Sequence, residues 1–144
     1  MYALSVRQPH ASLIAVGKKT IEWRSRVWHY RGPVVICASK SPKVNIPRST
    51  HYLPIGAAVC LVDMVDCRYF TEKDLKPACC EGQGHYVIEG KSGYAWVLAN
   101  PREIEPIPVK GIVAPWPWKG PEPTLNPGWH KQIDFVGKVI RHLR

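Results

Sequence analysis

Five or so short strands, one early helix and one late helix predict a small mixed β-barrel of the α+β class. Three observations carry this reading. The 144 residues suit one domain with its own core. The apolar segments are short and bounded by Gly, Pro and Asn. The clear helix signals stand near the two ends. Residues 1–144 are therefore read as one domain, with its core over 3–119 and a C-terminal helix over about 127–143.

The elements follow in order. Gln8-Pro9 opens the first helix, since Pro is favoured at the first helical position, and Gly17 closes it as a left-handed cap. Leu13 and Ile14 give residues 9–16 an apolar side. Thr20 to Ser25 then alternate. Ile21 and Trp23 point one way, while Thr20, Glu22 and Arg24 point the other, which reads as a strand with one wet face. On that reading Trp23 packs in the core, as do Trp96 and Trp129. Val34 to Ala38 is a strand after the turn Arg31-Gly32-Pro33. Gly56 to Cys67 is a longer one, interrupted by Asp63 and Asp66, and Tyr94 to Ala99 is stopped by Asn100-Pro101. Residues 71–90 hold a short helix begun by Thr71-Glu72, then a loop with Gly82, Gly84 and Gly90. Eight of the fourteen prolines fall in 101–128, which predicts a stiff loop wrapping the barrel and no central strand. Asn126-Pro127 starts the last helix, with Trp129, Ile133, Val136 and Ile140 on one side and Lys131, Lys138, Arg141 and Arg144 around them.

Net charge is +9, at 45% hydrophobic and 22% charged residues, a globular composition rather than a disordered basic tail. The excess is uneven. Residues 1–48 carry nine Lys/Arg and a single acid, Glu22, for a net +8; residues 49–110 come to −2 and residues 111–144 to +3. If the first third and the tail meet, they form a basic face suited to a phosphate backbone. The longest apolar run, Ala57 to Val62, is far short of the roughly 20 residues of a membrane span. Arg7 and Gln8 interrupt the N-terminal apolar stretch and argue against a secretory leader. The five cysteines show no CxxC spacing. Cys37, Cys60 and Cys67 lie in strand-like stretches as small hydrophobes. Cys79-Cys80 with His85 is a weak metal candidate, because adjacent cysteines rarely supply two ligands to one tetrahedral ion. Reduced thiols in the cytoplasm, with no metal, no cofactor and no membrane partner, are the expectation.

Three stretches are recognisable: Leu4-Ser5-Val6-Arg7-Gln8-Pro9-His10-Ala11-Ser12-Leu13-Ile14, then Gly17-Lys18-Lys19-Thr20-Ile21-Glu22-Trp23-Arg24-Ser25, then Arg31-Gly32-Pro33. Together they resemble the opening of the ASCH domain family. Leu61-Val62-Asp63, Asp66-Cys67 and Pro108-Val109-Lys110-Gly111 are similar to its later part. His10 stands where the family usually has Trp or Tyr. The resemblance implies a PUA-like barrel with a cleft beside the first helix, and a role in nucleic-acid binding or processing.

The residues themselves suggest the same cleft. Gly17 lets Lys18 and Lys19 emerge where the helix ends and the strand begins, and Glu22 and Arg24 project from that strand. Glu22 should be ionised and paired; as a mere strand-surface ion pair with Arg24 or Lys19 it would contribute under ~1 kcal/mol. In a binding reading, Arg7, Lys18, Lys19 and Arg24 neutralise phosphates, RNA before DNA. Gln8 and Glu22 would hydrogen-bond a base edge or sugar hydroxyl, and aromatics would stack an unpaired base. Trp28, His29 and Tyr30 are the loop candidates; Trp116 and Trp118 read rather as a clamp on the barrel. In an enzyme reading, the resemblance includes ribonucleases and amidohydrolases of N4-acetylcytidine, the latter using a Lys, a Thr and a Glu. Lys19 matches the Lys, Glu22 fills the Thr position, Thr20 is out of register, and Glu72 and Glu81 are the nearest distal carboxylates. A carboxylate cannot replace a hydroxyl nucleophile without changing the mechanism. Lys19 and Glu22 would then act as an acid–base pair on a ribose 2′-hydroxyl or a water, with Arg24 stabilising negative charge. A third reading is a protein-interaction module in transcription regulation that uses the basic tail helix.

Overall fold

The computed structural model describes residues 1–40, 53–83 and 87–130. Its first element is a strand, β1 (Tyr2–Val6), which the sequence reading does not contain. Ala3, Leu4 and Val6 are buried there, so the pattern lacks the two-residue alternation that marks a half-wet strand. Helix α1 (His10–Ala15) follows, and all six of its residues are buried. Gly17, at φ +80°, turns the chain out of it, and the Leu13 carbonyl accepts the N–H groups of both Lys18 and Lys19. The cap is the one the sequence predicts. The strands β2 (Ile21–Arg24), β3 (Gly32–Ala38), β4 (Ala57–Tyr69), β5 (Tyr94–Pro108) and β6 (Trp116–Pro117) complete one sheet.

The strand order is β2-β5-β4-β3-β1-β6. β1 runs parallel to β3 and the other pairings are antiparallel, which gives the mixed α+β architecture expected. The sheet curls without closing. Arg24 of β2, at one edge, donates from Nη2 to the Ser5 carbonyl of β1, the fifth strand in order, at 2.7 Å. Tyr2, Trp28 and Trp96 bridge the same gap, with ring centroids 5.7 and 5.0 Å apart. The molecule is a half-barrel with an open seam between β2 and β1.

Both faces of β3 are covered, which explains its unbroken apolar run. Val34 and Ile36 face Leu4, Ile14, Met64 and Leu98. Val35 and Cys37 face Ala3, Ala58 and Ile104 on the other side. Burial of each Val or Ile contributes about 1.5–3 kcal/mol.

Several expectations need correction. β5 does not stop at Asn100-Pro101 but continues to Pro108, so the first part of the proline-rich stretch is strand. The prolines are tolerated because β2 pairs only with Tyr94–Val97, which leaves the rest of β5 largely an edge, and because its register with β4 shifts at three places. Trp23 is not in the core. It is 46% exposed, whereas Trp96 is 3% exposed as expected. Trp129 is half-buried in the turn 127–130, and the rest of the predicted C-terminal helix lies outside the described residues, as does His85. The short helix expected at Thr71-Glu72 is a single 3-10 turn, Glu72–Asp74.

Candidate nucleic-acid interface

Five basic residues of the first third, Arg7, Lys19, Arg24, Arg26 and Lys40, line the seam. The Gly17 turn sends Lys18 and Lys19 in different directions. Lys19 is 2% exposed, and its Nζ donates to the Ala78 carbonyl and lies 3.6 Å from Glu22 Oε1. Arg24 donates Nε and Nη2 to Glu22 Oε2, at 3.2 and 2.9 Å, and its guanidinium carbon lies 5.7 Å from the centre of the Trp96 ring. The Glu22 side chain is only 11% exposed. The strand keeps its predicted alternation, but its Glu22 side is the one the seam encloses. The carboxylate therefore serves as a shared acceptor holding two cations in place, which is more than a solvated surface pair does.

These groups line a cavity of about 630 Å³ together with Arg7, Trp23 and Cys80. Two further cavities, of about 420 and 530 Å³, also border Val113 and add Lys40, Lys110 and Arg26 to the walls. Glu22 is the one carboxylate among the described residues lining any of the three. Six basic side chains face one acid along the seam.

Several predicted site residues stand elsewhere. Gln8 is 1% exposed, with its amide bonded to Ser12 Oγ and the Pro54 carbonyl, and its oxygen accepts the Ser12 N–H. It braces α1 and does not line the cavity. Lys18 faces a different cavity, of about 540 Å³, with Arg102, Glu103 and Leu125. Trp28 does line the seam, in the cavity of about 530 Å³, but it and Tyr30 stack on each other at 5.2 Å, and the Tyr30 hydroxyl donates to the Pro33 carbonyl, so these rings already partner one another. Glu72 and Glu81 are exposed, outside the lining of the cavity, and Thr20 is exposed beside it. Burial pushes the Cys79 thiol up despite nearby Lys19, so it stays protonated and is a poor nucleophile. The sequence reading missed Ser5, Cys80, Val113 and Trp23 at the seam; only Trp23 carried a signal, lying between Glu22 and Arg24.

The model of the ASCH domain family matches residues 4–108. Human activating signal cointegrator 1 is 30% identical over 132 residues, 80% of this chain and 22% of that protein. The chain thus spans about a fifth of the length of that relative. Among solved structures, an ASCH protein of Zymomonas mobilis superposes with a TM-score of 0.47 at 17% identity, over 74% of this chain and 71% of that one. Two variants of it give 0.49 and 0.48, each at 19% identity and over 74% of this chain, covering 73% and 72% of theirs. With the match running from β1 to the end of β5, the chain belongs to the ASCH domain family.

Proposed function

We propose that the chain binds single-stranded nucleic acid, RNA in particular, along the open seam of the half-barrel. The observation that carries this is the ratio, among the described residues, of six basic side chains to one carboxylate in three cavities bordering Val113. The largest, at about 630 Å³, is of the size that encloses a small organic ligand, which suits one nucleotide unit and not a duplex. In this reading Arg7 and Arg24 contact phosphate. Glu22 and Lys19 hold Arg24 in its working geometry, and the Ser5 carbonyl takes one of its N–H groups. Membership of the ASCH family supports a nucleic-acid partner.

The test is a titration of labelled single-stranded RNA and DNA over a salt series, comparing wild type with an Arg7→Gln, Arg24→Gln variant. Each phosphate contact contributes a slope of about −0.7 in log K against log salt for a single strand. Loss of both should make the slope shallower by about 1.4. An unchanged slope and affinity would refute the seam as the binding surface.

One observation favours a second reading, a hydrolase acting on RNA or an acetylated nucleoside. The buried Lys19 ammonium lies 3.6 Å from a carboxylate oxygen beside a cavity, an arrangement able to relay a proton. Incubation with mixed RNA and with N4-acetylcytidine, read by mass spectrometry, checks it. Products that vanish in Lys19→Ala and Glu22→Gln would establish it, and activity unchanged in both would eliminate the pair.

A further inference from the structure

Trp23 is the one tryptophan of β2, flanked in sequence by Glu22 and Arg24. It is 46% exposed while its strand neighbour Glu22 is 9% exposed. Exposure of a large indole costs a protein solubility, and here it occurs at the rim of the basic cavity, on the face of β2 opposite to Glu22 and Arg24. The ring is also held. Its Nε1 donates to the Ser92 carbonyl at 2.7 Å, and it lies so close to Gly93 that a Cβ there would fall 2.6 Å from Nε1 and 2.8 Å from Cε2. Gly93 is thus required twice, by this close approach and by its φ of +76°. A fixed, half-exposed indole beside a cationic cleft is a surface that offers stacking area with little ordering cost on binding.

We propose that Trp23 is the base-stacking platform of the seam: one unpaired nucleobase of the bound RNA lies on its exposed indole while Arg24 holds the adjoining phosphate. The proposal rests on the nucleic-acid reading above and assigns to Trp23 the role that the sequence had suggested for Trp28 and Tyr30. Those rings are stacked on each other, whereas Trp23 is open. Stacking is tolerant of base identity, so the platform recognises an unstacked base as a class and not a particular one.

The experiment uses two short single-stranded RNAs, one carrying 2-aminopurine at a central position and one abasic there. Both are titrated against wild type, Trp23→Leu and Trp23→Phe, with thermal melts run alongside to confirm folding. Wild type should quench 2-aminopurine at saturation and bind the abasic strand about 5–150-fold more weakly than the intact one. Trp23→Leu should abolish the quench and bind both strands alike, with an unchanged salt slope; Trp23→Phe should restore most of the difference. If Trp23→Leu weakens intact and abasic strands equally, or if the quench persists without the indole, the platform is refuted while the cleft reading stands. If wild type shows no binding that depends on Arg7 and Arg24, the nucleic-acid reading fails and the platform fails with it.

Discussion

Glu22→Gln separates a positioned binding site from a merely basic surface, because the two predict opposite signs. In the wild type, Oε2 accepts two N–H groups of Arg24 at 2.9 and 3.2 Å, and Oε1 faces Lys19 at 3.6 Å. Glutamine keeps one acceptor oxygen but turns an NH2 group towards one of the two cations. A hydrogen bond to a charged group contributes about 1.5–3 kcal/mol. The Arg24 side chain, 23% exposed, can recover part of that from water, so about 1–2 kcal/mol of stability should go. For a chain of this length that is a fall of about 3–6 °C in Tm. For binding, removal of a negative charge about 6 Å from a phosphate gains roughly 0.7 kcal/mol in water. Against this, re-ordering the freed side chains of Arg24 and Lys19 costs about 0.5–1.5 kcal/mol each. The net is a loss of about 1 kcal/mol, or roughly five-fold weaker binding. Fluorescence anisotropy with a labelled single strand at ~0.1 M salt, where the Debye length is about 10 Å, reads it directly. Binding tighter than wild type would show that Glu22 only dilutes the positive charge, and the positioning argument would be wrong.

Other substitutions test the frame. Gly17→Ala places a Cβ 3.5 Å from Pro101 Cγ, an ordinary contact, so its cost of about 1–2 kcal/mol comes from φ +80° alone, and Gly17→Asn should lose less in a thermal melt. Arg68, which donates twice to Asp74, holds that carboxyl below its ordinary value of 3.8, outweighing its burial. The stabilisation is present above pH 3.8 and lost as pH falls through the lower folded value, so the Tm gap between wild type and Asp74→Asn should narrow below about pH 4. His130 bonds Ser12 through Nε2 and Glu103 through Nδ1, both at 3.1 Å, and burial lowers its pKa from 6.5 although Glu103 pulls the other way. Its neutral form is the folded one, so stability falls as pH drops from 6.5 towards that lower value, and His130→Gln should flatten this segment of a Tm–pH curve.

Much of the frame was readable because local chemistry dictated it. Gln8-Pro9 and Gly17 bracket α1, and the continuous apolar run of β3 follows from burial on both faces. β1 was not readable beside such strong helix signals, since its apolar residues lack alternation. The course of β5 through Pro101 and Pro106 was hidden too, because whether a proline sits on an edge or in a sheet centre depends on which strands are neighbours. At the site, Lys19, Glu22 and Arg24 were legible as charges crowded into a few residues. Their geometry was not, because Arg24 reaches Ser5 only once the sheet has curled. Gln8 looked like a ligand group, yet Ser12 and Pro54 use its amide. Trp23 looked like core because it alternates with Ile21. Alternation fixes which side a residue faces, but what covers that side is tertiary: Ile21 packs with Phe70 and Ala78, and no such cover reaches Trp23, which stays 46% exposed.

On the proposed function, single-stranded RNA lies along the seam between β1 and β2. An amide chemical-shift titration of nitrogen-labelled protein with a short unstructured RNA tests it most directly. Shifts should concentrate at residues 5–7, 19–24 and 109–115 and move in proportion to occupancy. Shifts centred on residues 15–18 and 125–128, around the cavity on which Lys18 opens, would contradict it and place the interface elsewhere.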